Sequence, residues 1–118
     1  MRMALTLSAM LFAGAAFSDD LYLACTYSDG LHTNLAFSTS GGGLTFREGP
    51  TLIEDGKTDE FGGSGKVSQT PGTLKVEYTV RGVQIITTIY RGSWQLVQSV
   101  VRSGVQTYRN AQCTPSEP

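Results

Sequence analysis

Leu74-Lys75-Val76-Glu77-Tyr78-Thr79-Val80-Arg81 decides the fold class of this 118-residue chain. Leu74, Val76, Tyr78 and Val80 fall on one face of an extended segment, and Lys75, Glu77, Thr79 and Arg81 on the other. Side chains alternate across a strand with a period of two, so this is a strand with one face on a core and one in water. Pro71-Gly72 before it and Arg81-Gly82 after it are turn signals.

The same reading extends in both directions. Toward the C-terminus, Val83 to Tyr90 is rich in β-branched residues. Arg91-Gly92-Ser93 turns the chain, Trp94 to Val101 forms a third run, Ser103-Gly104 turns it again, and Val105 to Cys113 forms a fourth. Turns recurring about every ten residues predict an antiparallel meander. Toward the N-terminus, Leu21, Leu23, Cys25 and Tyr27 alternate; Thr33 to Ser38 places Leu35 and Phe37 inward; Leu44 and Phe46 suggest a further strand. Thr51 to Ile53 and Lys66 to Gln69 are weaker segments flanking Glu54 to Gly65, which reads as the longest loop, and the tail after Cys113 is expected to fray. The expected fold is all-β: a small antiparallel barrel or sandwich of about seven to eight strands, since both solutions hide sheet edges.

The first 18 residues read as a cleavable leader rather than as part of that domain. Arg2 supplies a positive start, Ala4 to Ala16 is free of charge, and small residues precede Asp19-Asp20. Cleavage fits before Asp19 or, by the alternative Ala13-Gly14-Ala15, before Ala16. The uncharged run is shorter than the about 20 residues of a spanning helix, so a detached signal helix and no lasting membrane anchor are expected. A lipid anchor on Cys25 would need Asp19 and Asp20 inside an apolar segment and would leave Cys113 alone. Residues 19–118 are therefore read as one β-domain closed by a Cys25–Cys113 disulfide, in a periplasmic or secreted setting where such bonds persist.

The search for chemistry returns little. His32 is the single histidine, and both cysteines are spoken for, so no zinc or copper set can be assembled. No Gly-x-Ser-x-Gly elbow occurs. Gly56-Lys57-Thr58 has Thr51 where a phosphate loop needs glycine, and Gly62-Gly63-Ser64-Gly65-Lys66 runs into Val67 with no helix to follow. The expectation is a non-enzymatic protein with no cofactor. Glu54, Asp55, Asp59 and Glu60 crowd one loop without the order of a calcium loop. They read as a solvated loop or as a contact surface for a basic partner.

Charge is split along the chain. From Asp19 to Glu60 eight acidic residues face two basic ones; from Phe61 onward six basic residues face two acidic ones. The weakly acidic sum argues against nucleic acid. In a meander alternate turns share an end, so Arg81 and Arg102 are expected at one end and Arg91 at the other. Pairing of the acidic loop with the Arg81/Arg102 end is the favoured arrangement. Trp94 and Tyr22, Tyr27, Tyr78, Tyr90 and Tyr108 could line a ligand pocket, but in a small β-domain they more often build the core.

In layout the chain resembles the small exported lysozyme inhibitors of Gram-negative bacteria: a leader, Cys25 preceded by Leu21-Tyr22-Leu23-Ala24, an all-β pattern and a late Cys113. It also resembles uncharacterised short periplasmic proteins, through Tyr90-Arg91-Gly92-Ser93 and Asn110-Ala111-Gln112-Cys113. The inhibitor family is a small barrel that plugs the lysozyme cleft with a Ser-Gly-x-x-Tyr loop. Here the nearest match is Ser103-Gly104-Val105-Gln106-Thr107-Tyr108, longer by one residue. The resemblance implies an inhibitor of a cell-wall hydrolase, with Ser103, Gly104 and Tyr108 as contact residues and a basic protein such as lysozyme as partner. The alternatives are a barrel that carries a small ligand and a structural envelope protein.

Overall fold

The computed structural model describes residues 20–40 and 43–117; the leader expected over residues 1–18 lies outside them. Nine strands form one sheet: β1 (Leu21–Tyr27), β2 (His32–Ser40), β3 (Gly43–Glu48), β4 (Thr51–Glu54), β5 (Ser64–Gln69), β6 (Thr73–Val80), β7 (Val83–Tyr90), β8 (Gln95–Arg102) and β9 (Val105–Ser116). The count exceeds seven to eight because both weak segments form strands. Ile53 on β4 and Val67 on β5 are each buried in the common core, which supports strands too short to stand by themselves.

The order around the sheet is β4-β3-β2-β1-β9-β8-β7-β6-β5. Every neighbouring pair along it is antiparallel, and the sheet curls into a nearly closed barrel, not a sandwich. The first and last strands pair with Cys113 opposite Cys25. Their disulfide spans 88 residues with the Cα atoms 4.0 Å apart. A loop of that length loses roughly 4–5 kcal/mol of closure entropy when cross-linked in the unfolded chain. The tail expected to fray is instead strand: Thr114, Pro115 and Ser116 pair with Ala24, Leu23 and Tyr22. β1 has only β2 on its other side, and the end of β9 satisfies its remaining backbone groups.

An odd number of strands in an up-and-down meander leaves one mismatched seam. Alternation makes β4 and β5 run in the same direction, so they cannot be joined by a simple hairpin ladder. The connecting segment fills the gap. It reverses at Glu54–Lys57, where the Lys57 N–H donates to the Glu54 carbonyl (3.2 Å), and then climbs beside the start of β5. Gly56, with φ 77°, donates to the Gly65 carbonyl (2.8 Å), and Gly65 donates to the Lys57 carbonyl (3.1 Å). Two residues thus face one, a bulge that needs the positive φ of its first member. Gly65 itself faces inward, and a side chain there would collide with Cγ2 of Ile53. Lower on the seam the Val67 N–H donates to Asp55 Oδ1 (2.9 Å), a carboxylate standing in for a missing strand partner.

Arg81-Gly82 and Ser103-Gly104 are two-residue hairpin loops with positive φ at both positions (50° and 78°; 52° and 78°), the geometry that matches strand twist. Trp94 is not the first residue of β8 as the sequence suggested. It sits in the preceding turn at φ 58°, with its ring half-buried against the core and its carbonyl accepting from the Cys113 N–H (2.9 Å).

Candidate functional site

Register defines the two ends of the barrel. Ser64 lies opposite Thr79, Val80 opposite Val83, Val83 opposite Arg102, and Arg102 opposite Val105. The loop tip at residues 60–62 and the turns at 81–82 and 103–104 therefore share one end, here called the mouth. Tyr27 opposite Ala111, and Glu48 opposite Thr51, bring the turns at 28–31 and 49–50 to it as well. The floor carries the turns at 70–72 and 91–94. Arg81 and Arg102 share the mouth end and Arg91 lies at the floor, as the meander requires.

The acidic loop does not pair with that arginine end. The ion pairs among the described residues are Lys57–Glu54 (3.8 Å), Lys75–Glu77 (3.8 Å) and Arg109–Asp29 (3.3 Å), all largely exposed. The four acids have separate roles. Glu54 ends β4 beside Lys57. Asp55 holds the seam through Val67. Asp59 accepts from the N–H groups of Phe61 and Gly63 (2.9 Å each) and from the Tyr78 hydroxyl. Those bonds, the one from Tyr78 foremost, hold its carboxyl below the usual carboxylate range, and the same bond raises the Tyr78 phenol. Only Glu60 is left on the tip without a structural partner among the described residues.

Ser103 and Gly104 form one of the two-residue turns at the mouth, and Tyr108 projects from the arm they terminate. That arm overhangs. β9 pairs with β8 along its whole upper length but meets β1 only from Ala111, so Val105–Arg109 has a strand partner on one side alone. Exposed apolar side chains gather at this end: Leu31, Phe61, Val105 and Tyr108 are 59–64% exposed. The sequence reading singled out Tyr108 and missed the other three. Alternation marks which face a residue takes, but not that the 28–31 turn, the 60–62 loop tip and the β9 arm share one end.

Inside the barrel the two halves differ. Leu23, Phe37, Leu74, Ile89 and Leu96 are completely buried toward the floor. Toward the mouth polar residues join apolar ones such as Ile85 and Val100 at the inward positions: Thr33, Glu48, Thr51, Tyr78, Thr87, Gln98 and Arg109. Thr33 Oγ1 donates to Glu48 Oε2 (2.7 Å), and Gln98 Nε2 donates to Thr87 Oγ1 (3.1 Å). The Arg109 guanidinium lies 3.8 Å from the Tyr27 ring centroid while it pairs with Asp29. Burial pushes the Tyr27 phenol up; the Glu48 charge adds to that and the Arg109 charge opposes it. A cavity of about 250 Å³ remains here, lined by Phe46, Glu48, Thr51, Ile53, Val76, Tyr78, Ile85, Thr87 and Gln98. Trp94 takes no part in it. Tyr78, on its wall, lies across Gly63, where an added side chain would collide with the ring, and donates to Asp59.

His32 is exposed, with Nδ1 at 2.9 Å from Thr26 Oγ1 on the outer face. Among the described residues no three His, Cys, Asp or Glu side chains group as a metal set, and no helix is long and apolar enough to cross a membrane. No protein-family model, curated protein or solved structure matches the chain.

Proposed function

We propose that this protein is an exported, non-enzymatic barrel that binds another protein through its mouth end, and that the partner is a cell-wall hydrolase of the lysozyme type. One observation carries the reading: Leu31 and Phe61 on loops, and Val105 and Tyr108 on the β9 arm, are all exposed at the same end of the barrel. Large exposed apolar side chains concentrated at one end of a small domain point to an interaction site, and aromatic anchors contribute most to such interfaces. The overhanging edge of β9 adds unpaired backbone groups of the kind that extended segments recruit. Glu60 beside Phe61 favours a basic partner. The disulfide is compatible with an oxidising compartment, which supports export and a periplasmic or secreted location.

The test is a turbidimetric lysis assay with the oxidised protein in excess over a chicken-type lysozyme. Inhibition is expected, and the double variant Phe61→Ala/Tyr108→Ala should weaken it about a hundredfold, since two aromatic anchors of about 1–2 kcal/mol each are removed. Lysis that proceeds at full rate with the wild-type protein in excess removes the lysozyme assignment.

A further inference from the structure

We infer that the upper barrel interior is a binding site for a small organic ammonium ion, an amine head on a compact apolar body. The site is distinct from the rim surface and does not depend on it. Its size comes first. An apolar cavity of about 150 Å³ accommodates benzene, so about 250 Å³ has room for one aromatic ring with a short chain and little more.

The walls give the chemistry. Phe46, Ile53, Val76 and Ile85 form an apolar surface from four strands. The polar groups among them are hydroxyls of Thr51, Tyr78 and Thr87, the Gln98 amide and the Glu48 carboxylate. Glu48 is the one ionisable carboxylate in the lining, and no lysine or arginine lines the cavity. Glu48 Oε2 is held by the Thr33 hydroxyl, which fixes the carboxylate and leaves its other oxygen without a protein partner among the described residues. Gln98 uses its amide N–H on Thr87, so its carbonyl oxygen is left to accept. Arg109 is the inward neighbour of Gln98 on β9, but its guanidinium is engaged by Tyr27 and Asp29. An anion entering the cavity meets a carboxylate and no cation. A neutral apolar molecule leaves that carboxylate partly desolvated and unpaired, which is costly. An ammonium group satisfies Glu48 and the Gln98 carbonyl while its body covers the apolar wall, the combination of a few placed polar groups on an apolar lining that small-molecule sites use.

The experiment titrates the full chain, disulfide formed, with phenethylammonium, phenethyl alcohol and hydrocinnamate at neutral pH, followed by amide chemical shifts. Saturable shifts at Glu48, Thr51, Thr87 and Gln98 are expected with phenethylammonium alone. Glu48→Gln keeps the acceptor for Thr33 and should weaken binding about tenfold through loss of the charged hydrogen bond. Ile85→Phe fills the cavity with its own ring and should abolish saturable binding, and it gives an independent reading if Glu48→Gln does not fold. Equal binding of the alcohol or the carboxylate, shifts confined to the outer face, binding that survives in Ile85→Phe, or no saturable shift at all each overturn the inference. None of these results bears on lysozyme inhibition, so the two proposals fail separately.

Discussion

The floor half and the mouth half of the barrel are built from the same nine strands, with the same alternation, and they differ in what stands at the inward positions. Near the floor the completely buried inward side chains are all apolar, and Phe37 packs on Phe46 with ring centroids 5.1 Å apart. Near the mouth, Thr87, Gln98 and Arg109 stand opposite one another on three consecutive strands, and Glu48 and Thr51 do so on two more. A small barrel can fill its interior with side chains, and the floor half does so. The mouth half keeps its polar row, in which Thr33, Thr87 and Gln98 are bonded to their neighbours, and gives up close packing there. On the function proposed above, the difference separates stability from function within one sheet: the floor holds the fold and the mouth is the end proposed to bind.

The sharpest way to break that division is to truncate one side chain in each half. Phe37→Ala should cost about 3–5 kcal/mol in chemical denaturation, because a completely buried ring leaves a cavity that rigid neighbours cannot refill. Ile85→Ala, on a wall that already borders empty space, should fall at the low end for such changes, about 2 kcal/mol. Equal losses at the two positions would erase the distinction. A smaller effect is expected where the halves meet the seam. Gly65→Ala pushes a methyl group into Ile53 and should cost about 1–3 kcal/mol, the range for overpacking. It should leave the melting curve cooperative, since the collision is with one flexible side chain.

The smallest effect concerns the latch between Asp59 and Tyr78. Asp59 titrates below the ordinary carboxylate value, so its contribution is complete above that value and is lost as pH falls through the lowered one. Tyr78 titrates above the ordinary phenol value, so its contribution is complete below that value and is lost as pH rises through the raised one. The latch should therefore stay closed across the neutral range. Following the Asp59 carboxyl carbon by NMR should place its midpoint below 3.8, the ordinary value, with Tyr78→Phe moving it upward. A wild-type midpoint at or above the ordinary value would sink the latch.

Much of the floor half was legible in the sequence. Leu74, Val76, Leu23, Leu35 and Phe37 announce their inward direction by alternation alone, and one cysteine near each end announces the pairing of the outer strands. The mouth half was not legible for two reasons. Polar residues at inward positions look the same in a sequence as outward ones, so Thr87 and Gln98 carried no signal. The acidic loop was read as one group of charges, whereas backbone geometry gives its members unrelated tasks: Asp55 completes a strand edge and Asp59 knots a turn. A carboxylate that accepts backbone N–H groups is structural, and no spacing rule shows which N–H groups will lack a partner. The odd strand count likewise depends on how the sheet closes, which no single segment encodes.

The bond between Cys25 and Cys113 makes almost the entire domain a covalent ring. A single cut in any loop between them, including the exposed turn around Phe61, opens the ring without releasing either fragment. The two pieces would stay tethered at the floor-side pairing of β1 with β9, free to re-form the sheet. A chain wired this way tolerates nicking by proteases, and only reduction together with cleavage would take it apart.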